Sequence, residues 1–247
     1  MGGPYKIIAL DMDGTLLSSN HQISEGNRRA IEEARNHGVH VILSTGRSFM
    51  TSKEYMESLA LDSYHITVNG SEIWHTSGEL IERQMLHGQH IETMWKLKEQ
   101  HNTTFWAVST EKVWRGEFPE NIHEHEWLKF GYDVPNQEIR EQIEKELQAH
   151  SELEVTNSSP TNLEINAMGV SKAKALATVC ERLGLTMANV LAMGDSLNDL
   201  AMIEEAGCGV AMGNAQEIVK EAADWVTGTN DEDGVAQAIR KFVLDNS

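Results

Sequence analysis

The chain has 247 residues, 40% of them hydrophobic and 23% charged, with a formal net charge of −18. This length gives ample burial for one large or two modest globular domains, and the composition excludes collagen-like, disordered and disulfide-knitted architectures. The negative charge, with no basic stripe against it, excludes nucleic acid and anionic membrane as partners; screening beyond about 8 Å leaves a small phosphorylated metabolite open. Lys6 to Leu10 reads as a buried strand, an apolar run too short for a helix and closed by turn residues. Ser24 then caps a helix whose Ala30, Ile31 and Ala34 share one face, with Gly38 as the stop. Val39 to Leu43 is a second strand, a helix covers 48–60, and Tyr64 to Val68 is a third strand.

From about 83 to 168 the texture changes. A helix over His90 to His101 precedes strands at Thr104 to Val108 and Lys112 to Arg115. A loop with Pro119 and a helix from Asn136 to His150 follow, then strands Leu153 to Thr156 and Asn162 to Asn166. Alternation returns with a helix from Ser171 to Leu183, a strand Val190 to Met193, a helix Leu197 to Glu205 and a strand Gly209 to Met212. Helices near 215–223 and 233–244 end the chain. The expected architecture is α/β: a doubly wound parallel-sheet core, 1–82 with 169–247, interrupted by an α+β cap at 83–168. The longest apolar runs span four residues, too short for a membrane helix or a signal-peptide core. Two cysteines, Cys180 and Cys208, suit a reducing compartment, so the expected location is cytoplasmic.

Four segments carry chemistry. Asp11-Met12-Asp13-Gly14-Thr15 follows the first strand; residues two apart in extended chain point the same way, so Asp11 and Asp13 face one site and Met12 points back. The carboxyl end of a central strand is where open α/β sheets bind ligands. Gly194-Asp195-Ser196-Leu197-Asn198-Asp199 follows another strand, and the i, i+3, i+4 spacing gathers Asp195, Asn198 and Asp199 on one side of the first helical turn. A plain helix cap needs one such residue, whereas this segment offers four. Ser44-Thr45-Gly46-Arg47 closes the second strand with a hydroxyl and free N–H groups at a helix start, a natural phosphate cradle. Lys172 stands at a helix start, where the macrodipole disfavours a cation. Taken singly, each segment could equally be a turn, a cap or a solvated side chain.

Together and in this order, the four segments closely resemble the haloacid dehalogenase superfamily of phosphohydrolases, in its Cof-type branch with a large cap between the second and third motifs. The resemblance spans nearly the whole chain and includes Val68-Asn69-Gly70 and the stretch Gly194 to Gly213. It implies a Rossmann-like core and a cap that sets specificity. It further implies Asp11 as nucleophile and Asp13 as general acid/base. Thr45, Gly46, Lys172, Asn198 and the Met12 N–H would hold the phosphoryl group, with Arg47 near it. Mg²⁺ would be bound by the Asp11 carboxylate, the Asp13 carbonyl and Asp195, supported by Asp199. The physics agrees: phosphoryl transfer asks mainly for positioning and charge neutralisation, and oxygen donors without thiolates suit hard Mg²⁺.

The expected function is a Mg²⁺-dependent phosphatase acting on a small phosphorylated metabolite through an aspartyl-phosphate. The alternatives are a phosphotransferase or phosphomutase using the same intermediate, and a receiver-like phospho-switch, which has no use for Asp13 or for a cap. Gly207-Cys208-Gly209 with Gly213 has the wrong spacing, and precedes its strand, for a dinucleotide loop. His123-Glu124-His125-Glu126 is read as a solvated loop rather than a second metal site, and most cap tryptophans as core.

Overall fold

The computed structural model describes residues 4–245. They form two compact units: the chain up to Ile81 together with the chain from Ser171 onward, and the insert Glu82–Val170.

In chain order the elements are β1 (Ile7–Leu10), α1 (Glu25–Asn36), β2 (His40–Ser44), α2 (Phe49–Ser58), β3 (Tyr64–Thr67), β4 (Glu72–His75) and β5 (Leu80–Arg83). The insert continues with α3 (Gly88–His101), β6 (Thr104–Ser109), β7 (Val113–Arg115), β8 (Trp127–Asp133), α4 (Gln137–Gln148), β9 (Leu153–Thr156) and β10 (Asn162–Ala167). The chain then forms α5 (Lys172–Arg182), β11 (Val190–Gly194), α6 (Leu200–Glu205), β12 (Cys208–Ala211), α7 (Glu217–Ala222), β13 (Trp225–Val226) and α8 (Gly234–Ile239).

The first sheet runs β13-β12-β11-β1-β2-β3-β4-β5. The strands from β13 to β3 are parallel, and β4 adds antiparallel to β3. All four residues of β1 are buried because both sheet faces are covered: Ile8 and Leu10 join the cluster containing Ala30, Ile31 and Ala34 of α1, while Ile7 and Ala9 join the one containing Leu176 and Val179 of α5. Ser24 caps α1 through a hydrogen bond from the Asn27 N–H, and Gly38 follows at φ +77°.

The insert is built on a second, antiparallel sheet, β7-β6-β8-β10-β9. One face packs Ala107, Phe130, Tyr132, Leu163 and Ile165 against the apolar stripes of α3 and α4. Its middle strand, β8, falls where the sequence reads as loop, and the β4 and β5 additions to the first sheet are also absent from the sequence reading. The stretch read as one helix over Leu197 to Glu205 opens as a 3₁₀ turn, Leu197–Asp199, before α6; the last helix widens into a π turn over Arg240–Leu244. Cys180 and Cys208 are buried and unbridged. Among the described residues no helix is long and apolar enough to cross a membrane.

Candidate active site

β1 and β11 lie side by side, and from them the strand order runs in opposite directions, to β2 and β3 on one side and to β12 and β13 on the other. Such a switch point leaves a crevice at the strands' carboxyl ends, and whatever follows β1 and β11 in sequence is delivered to it.

Asp11 is the first residue past β1. Its N–H donates to the Met193 carbonyl at 3.0 Å, continuing the ladder, and the residue is 5% exposed. Met12 turns into the core, and its carbonyl accepts the N–H groups of Thr15 and Leu17 at 3.3 and 2.8 Å, which closes the chain into a tight turn. Gly14 sits in that turn at φ +85°, and a Cβ there would stand 2.6 Å from Asp195 Oδ2. Only glycine serves both the left-handed backbone and this approach of the two acidic loops.

Lys172, the first residue of α5, is fully buried; its ammonium donates to Asp11 Oδ1 at 2.6 Å and to Asp199 Oδ1 at 2.7 Å. Burial opposes its charge, but the two carboxylates outweigh burial and raise its pKa, so the ammonium stays charged. The placement that the helix dipole disfavours is thereby explained, since two carboxylates hold the cation there. The other oxygen of Asp199 accepts the N–H groups of Asp195 and Ser196 at 3.0 and 3.1 Å. Both Asp199 oxygens are therefore engaged, tying Lys172 to the loop after β11. Asp195 accepts the hydroxyls of Thr15 at 3.1 Å and Ser196 at 2.9 Å. No cation lies within ion-pair distance of Asp195 among the described residues, and burial, reinforced by Asp199, pushes its pKa up to about 7. Burial also raises Asp11, opposed by Lys172 and reinforced by Asp199 and Asp195.

Asp13 is half exposed and gripped by Arg47, with Nε donating to Oδ2 at 2.7 Å and Nη2 to Oδ1 at 2.6 Å. The guanidinium also lies 5.2 Å from the Tyr55 ring centroid. Arg47 thus points its fork at Asp13 here. Thr45 is buried; its hydroxyl accepts the Arg47 N–H at 3.1 Å and its carbonyl the Asn69 N–H at 3.0 Å, with Gly46 between them. Val68, Asn69 and Gly70 occupy three successive left-handed conformations, φ +51°, +61° and +102°. Such conformations cost about 1–3 kcal/mol each for non-glycine residues. Gly70 permits the close approach of this turn to the Ser171 carbonyl, at the start of the helix that carries Lys172. Asn198, expected beside Asp195 and Asp199, instead donates to Asn69 Oδ1 at 3.2 Å.

Of the residues singled out in the sequence, the fold brings Asp11, Lys172, Asp195 and Asp199 into one cluster. It sets Asp13 with Arg47, and Thr45 with Asn198 through Asn69, on the adjoining loops. Thr15, Ser196 and Asn69 were not singled out as site residues, although each lies within a motif that was quoted. His123 and His125 pair with different glutamates, Glu92 at 2.8 Å and Glu111 at 2.9 Å.

Asp11, Asp195 and Asp199 each offer a carboxylate oxygen, all within 4.8 Å of one another, and this is the one such cluster found among the described residues. Three carboxylates face one ammonium, and the donors are hard oxygens without thiolate or imidazole. That donor set fits a small, hard divalent cation. In protein stripped of divalent ions, Asp195 protonates more readily folded than unfolded. Its contribution to stability is complete below about pH 4 and is lost as pH rises to about 7. The melting temperature of the stripped protein is expected to fall across that window, and excess Mg²⁺ to remove much of the fall. Scanning calorimetry in buffers of matched ionic strength measures both.

The profile of the haloacid dehalogenase-like hydrolase family matches residues 8–139 and 117–239. The chain is 62% identical over 239 residues to the 5-amino-6-(5-phospho-D-ribitylamino)uracil phosphatase YcsE of Bacillus subtilis, covering 97% of this chain and 96% of that protein. Its fold matches a haloacid dehalogenase-like hydrolase from B. subtilis with a TM-score of 0.88 at 27% identity, covering 95% of this chain and 99% of the other. It also matches the HAD subclass IIB sugar phosphatase BT4131 with a TM-score of 0.84 at 25% identity, over 96% and 98% of the two chains.

Proposed function

The chain belongs to the haloacid dehalogenase-like hydrolases and is a phosphatase, and on that premise we propose that it is a Mg²⁺-dependent phosphomonoesterase of 5-amino-6-(5-phospho-D-ribitylamino)uracil that works through an aspartyl-phosphate on Asp11. The observation that carries the chemistry is the buried Asp11 carboxylate at the end of β1, 2.6 Å from the Lys172 ammonium and beside Asp195. The 62% identity to YcsE supports the substrate.

In this reading the Asp11 carboxylate attacks phosphorus in line, and the bond from phosphorus to the ribityl oxygen breaks. Asp13 gives the departing oxygen its proton, then takes one from the water that attacks the acyl-phosphate, releasing inorganic phosphate and the Asp11 carboxylate. Lys172, Thr45, Asn198 and the N–H groups of Met12 and Gly46 hold the phosphoryl oxygens. Mg²⁺ would be held by the carboxylates of Asp11 and Asp195 and the Asp13 carbonyl, and it supplies positive charge against the phosphoryl dianion. Asp199, with both oxygens engaged, acts by positioning Lys172.

Arg47 occupies both oxygens of Asp13, and a carboxyl group must free one of them to carry a proton. A phosphoryl dianion is the ligand best matched to a planar guanidinium fork, so substrate draws Arg47 away and releases Asp13. Lysine cannot fork: Arg47→Lys is expected to lower kcat/KM about tenfold or more, most of it in KM, as steady-state kinetics will show.

Phosphate release from the aminouracil phosphate, measured beside a panel of sugar phosphates and nucleotides, tests the function. The aminouracil ester is expected to lead the panel, with chelation abolishing and Mg²⁺ restoring turnover. Phosphate passing to an acceptor with little free phosphate would make the protein a transferase instead.

A further inference from the structure

His65, on β3, is a fully buried histidine that the mechanism above leaves unused. Burial pushes its pKa down to about 4, so the ring is neutral and carries one N–H. An apolar side chain of that size would fill the same space without stripping water from two ring nitrogens. Packing alone does not explain the imidazole.

Nε2 lies 2.7 Å from the hydroxyl of Ser52 on α2, and Ser52 donates to the Ser48 carbonyl one turn back at 2.8 Å. Nδ1 is buried and has no partner. The serine has a single hydrogen to give. Spent on Nε2, it would leave the ring's own N–H on Nδ1 without an acceptor and forfeit the bond to Ser48. The network therefore assigns the Nε2–H tautomer, with Nε2 donating to Ser52 and Ser52 to Ser48.

This relay ends at the start of α2. Ser48 is the cap residue of that helix, but its side chain does not cap; it meets the Thr51 hydroxyl at 3.1 Å instead. Phe49 sets its ring edge-on to the His65 imidazole, with centroids 6.1 Å apart. Directly before Ser48 stands Arg47, whose carbonyl accepts the N–H of Val68, the residue that follows β3, at 2.9 Å. The backbone is thus held on both sides of the Arg47 side chain, while its guanidinium reaches out to Asp13.

We propose that His65 is a positioning residue for Arg47: through Ser52 and Ser48 it fixes the root from which the guanidinium fork moves between Asp13 and a phosphoryl group. A side chain that exchanges partners needs a fixed root, since a misplacement of about 1 Å can cost about a hundredfold. The exchange rests on the function proposed above; the hydrogen-bonded relay to the root does not.

The test is calorimetric binding of inorganic phosphate, with Mg²⁺, to the full chain and to His65→Leu, His65→Gln, Ser52→Ala, Arg47→Lys and the double variant Arg47→Lys with His65→Leu. His65→Leu is expected to weaken phosphate about fivefold or more. Gln, whose amide still donates to Ser52, should recover most of the loss, and Ser52→Ala should match the Leu variant and guards against its failing to fold. With Lys at 47 the Leu substitution should change affinity by less than about twofold, because the fork it positions is gone. A merely structural histidine would lower the melting temperature and weaken phosphate equally in both backgrounds, or not weaken it at all. Nitrogen NMR of labelled histidine should find the His65 proton on Nε2. No phosphate binding by the parent, affinity within about twofold of the parent in a folded His65→Leu or Ser52→Ala, an equal loss in the Arg47→Lys background, or a proton on Nδ1 would overturn the proposal. Because no turnover is read, an inert protein whose phosphate affinity depends on His65 and an active one indifferent to His65 are told apart.

Discussion

Asp11→Asn is expected to lower kcat by more than about a thousandfold, which is more than about 4 kcal/mol of barrier. The amide matches the carboxylate in shape but forms no acyl-phosphate. Three carboxylates crowd around one ammonium at this site, and the substitution leaves Lys172 paired with Asp199 at 2.7 Å. In chelator the variant should therefore melt no lower than the parent, because it removes an acidic neighbour of Asp195 without orphaning the buried cation. A catalytic collapse without loss of stability is the signature of a nucleophile. Activity within about tenfold of the parent would remove Asp11 from that role.

Lys172→Met should damage both properties. The ammonium is the one cation touching Asp11 and Asp199 among the described residues, and both carboxylates are buried. Removing one partner of a buried ion pair typically costs about 3–5 kcal/mol because the remaining charge is left uncompensated. Turnover should fall by at least about a hundredfold, since the site loses positive charge where a phosphoryl dianion must bind. Excess Mg²⁺ should recover part of the stability but little of the turnover, because an added cation relieves acidic crowding without replacing the ammonium. Lys53→Met, which breaks an exposed 3.5 Å pair with Glu57, should change stability by less than about 0.5 kcal/mol. Denaturant titration with and without Mg²⁺ separates these cases.

The site was more legible in the sequence than the insert, and the reason is local. Motifs at strand ends are short-range: Asp11 and Asp195 are placed by the strands just before them, and alternating strand and helix fixes which rim they reach. Lys172 was conspicuous because its charge opposed the helix dipole, and the fold supplies the two carboxylates that make its position stable. The role of Asp199 was not legible, because a hydrogen-bonding pattern that ties the 195–196 backbone to a lysine from a distant helix has no sequence period. Strand β8 was missed for the opposite reason. Lys129 and Gly131 break the apolar pattern of Trp127 to Asp133, because they alternate with the core-facing Phe130 and Tyr132. The hairpin partner β4 was hidden in the same way by Glu72, a buried carboxylate that accepts from Thr67 and Trp74. Long-range pairing settled these strands, and the local composition did not.

The central claim is that phosphate passes through Asp11. Acid-quenching the enzyme during turnover of 5-amino-6-(5-phospho-D-ribitylamino)uracil with Mg²⁺, then mapping phosphorylated peptides by mass spectrometry, tests it most directly. The expected result is one phosphoryl group on Asp11 that forms at the rate of the first turnover, decays on a chase with unlabelled substrate, and is absent in Asp11→Asn. Rapid phosphate release from the Asp11→Asn variant, or a phosphoryl group carried on any other residue, would contradict it.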